Sequence, residues 1–374
     1  MFDNQYAGRR VFLTGHTGFK GFWLTAWLLE LGAEVAGFSL DLPTEPSGFA
    51  ALGLEGRIRH IQGDVRDKEA LTSALASFKP EAVFHLAAQP LVRRSYEDAA
   101  QTFESNALGT MNLLEAVRGA PSVKALVLIT SDKCYQNNEW IFGYREDDRL
   151  GGHDPYSASK ACAEIIARSY FASFFRDSPL MVTVRAGNVI GGGDWALDRI
   201  VPDCARAWAA QKSARIRSPL ATRPWQHVLE PLSGYLWLGA LLLQGCKDRA
   251  GLPLHGEAFN FGPAADITAS VEELARALAK HWPGFSFDCD RGEGGGKSEH
   301  TLLKLCCDKA LAHLGWKAVL SFEDCVDYTA NWYRRFYDQP GRPLAMPGPS
   351  MYEYTLEQIA AYCAQAEKER LPWL

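Results

Sequence analysis

The segment TGHTGFKG, residues Thr14–Gly21, constrains the fold more than any other part of this 374-residue chain. It follows a short β-rich run, Arg10–Thr14, and precedes an apolar stretch that predicts a helix. In this context Gly15 permits a tight turn, Gly18 lets the backbone approach a ligand, and Gly21 lets the helix pack closely on the strand. Because free N–H groups and the helix dipole favour an anion at a helix N-terminus, the segment predicts a diphosphate site.

Short apolar runs alternate with longer helical patterns along the first half of the chain, which predicts a parallel sheet covered by helices on both faces. The predicted strands are Arg10–Thr14, Glu34–Leu40, Arg57–Gln62, Ala82–Leu86, Ala125–Thr130 and Leu180–Arg185. The predicted helices are Lys68–Phe78, Ala99–Arg118, Tyr156–Phe174, Arg199–Lys212, Leu232–Leu243, Ser270–His281 and Leu356–Lys368. Gly292–Gly296 is predicted to be a mobile loop, and the proline-rich segment Gln339–Ser350 to be irregular.

After Gly187, glycines and prolines break this rhythm. We therefore predict an α/β fold of two domains. Residues 1–186 form a dinucleotide-binding Rossmann domain with a doubly wound parallel sheet. Residues 187–374 mainly form a smaller α/β domain for the substrate, with later segments returning to the first domain.

The end of the second predicted strand bears on the choice of cofactor. A Rossmann domain that binds NAD usually has Asp or Glu there to hold the ribose hydroxyls. Here the strand reaches Ser39, and Asp41 follows two residues later. Because a serine leaves room for either dinucleotide, we predict NAD and leave NADP open. Asp64, after the third strand, is positioned to meet the adenine.

Tyr156 and Lys160, in the sequence YSASK, predict a catalytic pair because residues one turn apart share a helix face. A tyrosine that acts as a base must lose its proton near neutral pH, and the charges of Lys160 and of an oxidised nicotinamide both favour the phenolate. A pKa shift of about 3 units needs roughly 4 kcal/mol, which two close cations in a water-excluded site can supply. The intervening strand that ends in Thr130-Ser131 strengthens this hypothesis.

These motifs resemble those of the extended short-chain dehydrogenase/reductase family over nearly the whole chain. The resemblance runs through TGHTGFKG, Gly63-Asp64-Val65, His85-Leu86-Ala87-Ala88-Gln89, Asn106, Ser131, Tyr156 and Lys160. It implies that Ser131 hydrogen-bonds the sugar hydroxyl that is oxidised, that Tyr156 takes the proton, and that Lys160 binds the nicotinamide ribose. It also implies a cofactor site made of Gly15, His16, Thr17, Gly18, Phe19, Lys20, Gly21, Ser39, Asp64, Val65, Ala87, Ala88, Gln89, Asn106, Tyr156 and Lys160.

The second half of the chain resembles the nucleotide-sugar site of that family. Arg185–Val189 and Arg223–Val228 look like the segments that bind the sugar nucleotide's diphosphate. The guanidinium of Arg223 would supply a bidentate fork for a phosphate. The predicted substrate-binding residues are Arg94, Asn188, Arg199, Arg217 and Arg223.

The triplet Ser131-Asp132-Lys133 separates two reactions of this family. Epimerases usually carry small residues after the serine, whereas sugar 4,6-dehydratases carry Asp followed by Glu or Lys. The resemblance therefore favours a dehydratase, with Asp132 as the acid that protonates the departing C6 hydroxyl and Lys133 as the base that removes the C5 hydrogen. A cofactor or backbone contact is the alternative role of Lys133.

Three questions stay open on these motifs. TGHTGFKG, TSDKCY and RAGNVIGGGDW together resemble dehydratases that act on CDP-glucose, but no linear motif distinguishes cytosine from uracil. A nucleotide-sugar 4-epimerase is the alternative enzyme. A dinucleotide-sensing binding protein without catalysis is the alternative outside enzymes.

The remaining properties bear on partners and location. A net charge of −5 does not favour nucleic acid or an anionic membrane. Nine cysteines without a CxxC spacing predict reduced thiols in the cytoplasm and no metal site. The start of the chain lacks a signal-peptide pattern, and its apolar stretch Phe22–Leu31 is shorter than the roughly 20 residues of a spanning helix. The family resemblance implies a homodimer or a dimer of dimers, paired through Ala99–Arg118 and Tyr156–Phe174.

Overall fold

The computed structural model describes residues 1–245, 247–248, 251–264, 267–282, 284, 286–289, 302–337 and 350–374. The predicted loop Gly292–Gly296 and residues 339–349 of the predicted irregular segment lie outside these residues.

The strands are β1 (Arg10–Thr14), β2 (Glu34–Ser39), β3 (Arg59–Gln62), β4 (Ala82–His85), β5 (Ala125–Ile129), β6 (Leu180–Ala186), β7 (Val189–Ile190), β8 (Ala214–Ile216), β9 (Thr222–Arg223), β10 (Gln226–His227), β11 (Ala258–Phe261), β12 (Ala269–Ser270) and β13 (Phe287–Cys289). The α-helices are α1 (Phe19–Glu30), α2 (Gly48–Ala51), α3 (Lys68–Phe78), α4 (Val92–Glu97), α5 (Ala99–Phe103), α6 (Gly109–Arg118), α7 (Pro155–Phe174), α8 (Ile200–Ala209), α9 (Leu229–Leu243), α10 (Val271–Ala279), α11 (Phe322–Tyr337) and α12 (Met351–Lys368). Short 3-10 turns cover Phe2–Asn4, Leu54–Gly56 and Asp132–Cys134, and π-helical turns cover Glu104–Leu108 and Ala310–Leu314.

A seven-stranded sheet in the order β11-β6-β5-β4-β1-β2-β3 forms the centre of the fold, and all its strands are parallel. The chain runs outward from β1 to β3, crosses back, and continues outward from β4 on the other side. This order confirms the predicted doubly wound Rossmann sheet and places the switch point between β1 and β4, where such sheets bind ligands. β11 comes from the second half of the chain and completes the sheet. The division at residue 186 stays a prediction.

Both faces of the sheet are buried, as the continuous apolar runs predicted. In β1, Val11 and Leu13 pack into the core cluster that contains Trp23 and Trp27, while Phe12 packs into the second cluster on the opposite face. This alternation follows from the two-residue side-chain period of a strand. Each face therefore contributes its own core, and truncating one buried aromatic such as Phe12 to alanine would cost about 3–5 kcal/mol.

Two predicted helices differ most from the structure, and others differ in their bounds, since α8 ends at Ala209 rather than Lys212 and α9 begins at Leu229 rather than Leu232. The predicted continuous helix Ala99–Arg118 is interrupted by the π-helical turn Glu104–Leu108, which separates α5 from α6. α12 begins at Met351 rather than Leu356, because Ser350 and Glu353 form a capping box there. In the part of the chain that the structure describes, no helix combines the length and apolarity needed to cross a membrane.

Candidate active site

The glycine motif forms a cradle at the carboxyl end of β1. Gly15 has a positive φ of 75°, and a Cβ at this position would lie 2.6 Å from the backbone nitrogen of Ala87. A Cβ at Gly21 would lie 2.1 Å from the carbonyl oxygen of Gly15. Neither position tolerates a side chain without a backbone shift, as predicted for a loop that lies under a dinucleotide.

The N-terminus of α1 is open to an anion. Gly18 is its N-cap and provides no side-chain cap for the first N–H groups. Phe19 begins the helix, and its ring lies 3.2 Å from where a Cβ of Gly191 would stand. Uncapped amides at a 12-residue helix are suited to a diphosphate. The cradle therefore fits a dinucleotide.

Side chains at the end of β2 form a connected polar group. His16 Nδ1 lies 3.0 Å from Ser39 Oγ, and His16 Nε2 lies 2.7 Å from His60 Nδ1. Thr17 Oγ1 donates to the carbonyl oxygen of Asp41 at 2.7 Å. Burial and the neighbouring His60 lower the pKa of His16 to about 3, so its ring is neutral at physiological pH. Neutral groups with paired hydrogen bonds occupy the position where NAD-binding domains usually carry a carboxylate.

Asp64 is engaged by its own neighbour. Arg66 donates to the Asp64 carboxylate from Nε at 2.8 Å and from Nη2 at 2.6 Å. Partial burial raises the pKa of Asp64, but the contacts with Arg66 outweigh it and the net shift is downward. The next residue, Val65, accepts a hydrogen bond at its carbonyl from Asn112. An ionised Asp64 thus lies at the predicted adenine end of the site.

The segment after β4 is tied to α7 by Asn106. The Asn106 side chain accepts from the Gln89 backbone N–H at 2.8 Å and donates to Ser159 Oγ at 2.9 Å. Ala87 donates to Thr14 Oγ1 at 3.2 Å, and Ala88 follows it in the same segment. The π-helical turn places Asn106 here, so its amide groups orient the loop beside the cradle.

Ser131, Asp132 and Tyr156 meet at the carboxyl end of β5. Ser131 Oγ donates to Asp132 Oδ1 at 2.9 Å and also hydrogen-bonds the phenol of Tyr156. Burial raises the pKa of Asp132, and the nearby charges of Lys133 and Lys20 only partly oppose this. A raised carboxyl pKa is the property that a general acid at neutral pH requires.

Tyr156 and Lys160 are buried on successive turns of α7. The helix begins beside them, because Asp154 caps it by accepting from the Ser157 N–H at 2.9 Å and Pro155 occupies its first position. Burial raises the pKa of Tyr156 to about 12, while Ser131 and Arg199 lower it. Burial lowers the pKa of Lys160 to about 8. The chain alone therefore does not create the phenolate, and the expected lowering of the Tyr156 pKa depends on the positive charge of the cofactor.

Lys20 is closer to the predicted catalytic residues than its place in the glycine motif indicated. Its Nζ donates to the hydroxyl of Tyr235 at 3.3 Å. Burial lowers the pKa of Lys20 to about 7, with Asp132 opposing and Lys160 reinforcing the shift. Lys20 thus adds a titratable amine beside the predicted acid.

Lys133 lies at the edge of this cluster and is half-buried. Its backbone N–H donates to Ser131 Oγ at 3.3 Å, which closes the 3-10 turn Asp132–Cys134. Its side chain lines a cavity of about 10 Å³, enough for one water molecule. The other residues that line it are Tyr135, Asn137, Gly152, His153, Ser157 and Leu303.

The predicted substrate-binding residues fall into two groups. Arg199 and Asn188 lie beside the predicted catalytic residues. Arg199 pairs with Asp194 at 2.7 Å, and its charge lowers the pKa of Tyr156. Asn188 follows Gly187, and a Cβ at Gly187 would stand 3.3 Å from the Asp132 carboxylate. The other three have contacts with neighbours outside that cluster. Arg94 donates to Gln101, Arg217 pairs with Asp198 at 2.6 Å, and Arg223 donates to the Thr222 carbonyl.

The expectation that the segment Arg185–Val189 binds the substrate diphosphate stays a prediction, but the side chain of Arg185 itself is engaged inside the protein. Its side chain is 4% exposed and pairs with Glu164 at 2.8 Å, while Nη1 donates to the hydroxyl of Tyr135 at 2.7 Å. Residues two apart on a strand share a face, and Thr183 also binds Glu164. Sequence analysis missed Glu164, although its position one turn after Lys160 on the same helix was a usable signal.

The family model described as GDP-mannose 4,6 dehydratase matches residues 12–238 of the chain. CDP-glucose 4,6-dehydratase of Salmonella typhimurium strain LT2 is 45% identical over 338 residues, which cover 88% of this chain and 92% of the relative. CDP-paratose 2-epimerase of Salmonella typhi is 27% identical and covers 72% of this chain and 83% of its own.

Solved structures share the fold. UDP-glucose 4-epimerase of Thermus thermophilus, solved in complex with NAD, has a TM-score of 0.70 at 25% identity and covers 87% of this chain and 99% of its own. A dTDP-glucose 4,6-dehydratase of Streptomyces venezuelae, also solved with NAD bound, has a TM-score of 0.71 at 24% identity, with 87% and 97% covered.

Proposed function

The chain belongs to the GDP-mannose 4,6-dehydratase family and is a nucleotide-sugar 4,6-dehydratase, and we propose that its substrate is CDP-glucose and its product CDP-4-keto-6-deoxyglucose. The observation that carries the assignment to these residues is the buried Asp132, which contacts Ser131 beside Tyr156. An epimerase has no leaving hydroxyl to protonate, so a buried carboxyl group at this position favours the dehydratase.

A bound nicotinamide dinucleotide would supply the hydride acceptor for the first step and return the hydride in the last. The cradle Gly15–Gly21 and the open end of α1 would hold its diphosphate, and Lys160 its nicotinamide ribose. NAD is the proposed form, since the polar group of His16, Thr17 and Ser39 provides hydroxyl and imidazole partners for a ribose. Members of the same fold have been solved with NAD bound.

Oxidation at C4 would begin at Ser131 and Tyr156. Ser131 Oγ orients the C4 hydroxyl, and the Tyr156 phenolate removes its proton. The positive charge of an oxidised nicotinamide would favour that phenolate, because the pKa of the hydroxyl is about 12 in the chain alone even with Lys160 present. The side chains of Ser131 and Tyr156 are nearly completely buried, which excludes water from this step.

Elimination across C5 and C6 would follow from the acidity of the hydrogen next to the new ketone. Lys133 accepts the C5 proton, and Asp132 donates its proton to the departing C6 oxygen. The raised pKa of Asp132 keeps that proton available. A reduced cofactor would supply the hydride for C6 and C5 would regain a proton, so the reaction would have no net redox change.

The diphosphate would be held by Arg199 and Asn188, with Arg223, Arg217 and Arg94 as further contributors. Arg199 is paired with Asp194, so its charge is already oriented before the substrate binds. The proposal of cytidine as the base rests on the 45% identity to a CDP-glucose 4,6-dehydratase.

A homodimer, or a dimer of such dimers, is the proposed assembly, and the cytoplasm is the proposed location. Two large apolar side chains on the helices that family members pair are exposed, Leu108 at 46% and Ile165 at 58%. A second copy would bury both through a two-fold interface.

The deciding experiment incubates the purified protein and NAD with CDP-, UDP-, GDP- and dTDP-glucose and analyses the products by mass spectrometry. We expect loss of one water, with the highest kcat/KM for CDP-glucose. Thermal unfolding with each nucleotide sugar gives an independent ranking, since a ligand that binds the native state raises Tm.

Two results would contradict the proposal. A product of unchanged mass and altered configuration at C4 would make the protein an epimerase. Binding of NAD without turnover of any nucleotide sugar would favour a dinucleotide-sensing protein.

A further inference from the structure

A buried ion pair, Glu164 and Arg185, lies beneath the catalytic residues and takes no part in the chemistry described above. Both side chains are 4% exposed. The guanidinium binds the carboxylate twice, from Nε to Oε1 at 2.9 Å and from Nη2 to Oε2 at 2.8 Å. Since burying two charges is costly, well-packed apolar residues often serve stability as well or better. This pair therefore calls for a role other than stability.

Glu164 connects three elements of the site. Besides Arg185 on β6, its carboxylate accepts from the hydroxyl of Thr183 on the same strand at 2.9 Å and from the hydroxyl of Thr130 at the end of β5. Thr130 directly precedes Ser131, and Glu164 lies one turn after Lys160 on α7. A single carboxylate thus fixes the strand end that carries Ser131 against the helix that carries Tyr156 and Lys160.

The charge around Lys160 also depends on Glu164. The titratable groups that face this amine are Glu164 on its own helix, Cys134 in the turn after β5, His85 on β4 and Lys20 on α1. Burial lowers the pKa of His85 to about 3 and raises the pKa of the Cys134 thiol, so both are neutral at physiological pH. Of these four, Glu164 alone is anionic, since Arg185 holds its pKa down against the effect of burial.

We propose that Glu164, held by Arg185, is a positioning residue for the oxidation step: it sets the register between Ser131 and α7 and supplies the negative charge that keeps Lys160 cationic. The inference rests on the proposed function, because a phenolate at Tyr156 is what requires a cation beside it. Burial alone lowers the pKa of Lys160 toward neutrality, and Glu164 opposes that shift.

The test is the pH dependence of kcat/KM for CDP-glucose in Glu164→Gln, which removes the charge and keeps the shape. Activity is lost at high pH as Lys160 loses its proton, and this limb should move to lower pH by about one unit, a roughly tenfold loss of activity above it. The low-pH limb, where Tyr156 gains a proton, should not move upward, because Lys160 is still protonated there and the loss of a nearby anion favours the phenolate. Thr183→Val is the matched control, because it removes one hydrogen bond to the same carboxylate and leaves its charge.

Glu164→Gln leaves Arg185 buried without its counter-ion, so the double variant Glu164→Gln/Arg185→Met is measured beside it, with circular dichroism to verify folding. A folded variant with wild-type pH limbs would overturn the inference. A shift of equal size in Thr183→Val would overturn it too, since general loosening would then explain both. Wild-type protein that dehydrates no nucleotide sugar would instead refute the proposed function, and the inference with it.

Discussion

The hydroxyl of Ser131 donates to the carboxylate of Asp132 at 2.9 Å, so the residue proposed to orient the substrate alcohol is bonded to the residue proposed to act as the acid. The same hydroxyl contacts Tyr156. A sugar hydroxyl that binds at Ser131 must compete with the hydrogen bond from Ser131 to Asp132. Loss of that hydrogen bond removes one of the contacts that lower the Asp132 pKa. Substrate binding would therefore favour the protonated acid that elimination needs.

Tyr156→Phe tests the base of the first step. The ring is 8% exposed and packs within α7, so phenylalanine keeps its packing while removing the proton acceptor. Removal of a positioned base typically lowers the rate by about 10²–10⁴-fold. We expect that loss in kcat, with CDP-glucose affinity nearly unchanged by calorimetry. Activity within about threefold of wild type would rule out Tyr156 as the base.

Features that depend on local spacing could be predicted from the sequence, whereas features that depend on contacts between distant residues could not. The glycine cradle, Tyr156 and Lys160 were predictable, because local spacing alone sets a tight turn and a shared helix face. The π-helical turn at Asn106 was not, because its geometry depends on contacts with Gln89 and Ser159, which are distant in sequence. The inward direction of the Arg185 side chain could not be predicted locally either, because its partner Glu164 lies 21 residues away on a different element.

Glu230 provides a prediction about stability and pH. It is 1% exposed, and its carboxylate accepts from the Leu320 N–H at 2.6 Å and the Tyr362 hydroxyl at 2.8 Å, which ties α12 to α9. Burial raises its pKa from 4.5 to about 7. Between these values the folded protein holds a proton that the unfolded chain has lost. The contribution of Glu230 to the free energy of unfolding is therefore fully present below pH 4.5. It is lost as the pH rises through 7, by up to roughly 3 kcal/mol.

Glu230→Gln should remove that pH dependence, because the amide oxygen still accepts the backbone N–H and carries no charge. Urea unfolding between pH 5 and 8 measures the effect, with the exposed Glu367→Gln on α12 as the control. We expect the variant to match wild type near pH 5 and to exceed it near pH 8. A parallel pH dependence in both proteins would contradict the prediction.

The proposed homodimer can be tested at Ile165. This side chain on α7 is 58% exposed, and an aspartate there would be buried and unpaired in the interface. Light scattering at micromolar concentration should give a dimer or tetramer for wild type and smaller species for Ile165→Asp. Leu252→Asp, at an apolar position 55% exposed outside these helices, should assemble like wild type. A wild-type monomer would contradict the prediction.

Asp132→Asn separates oxidation from elimination. Tyr156, Lys160 and Ser131 remain in the variant, so C4 should still be oxidised. The amide cannot donate a proton to the C6 oxygen as a carboxylic acid does, so the reaction should stop before water leaves. The near-ultraviolet absorbance of reduced nicotinamide should then accumulate in a single turnover, whereas wild type returns the hydride and shows little of it. Loss of the 4-keto-6-deoxy product should accompany this signal.

Lys133→Ala tests the base of the elimination. Lys133→Ala should also stop after oxidation if Lys133 is the C5 base, and solvent deuterium should then fail to enter C5. If Lys133 only contacts the cofactor or backbone, the variant should instead bind NAD more weakly and still exchange the C5 hydrogen. Full activity in Asp132→Asn, without 4-keto-6-deoxy product in either protein, would replace the dehydratase by the epimerase, for which Asp132 is incidental.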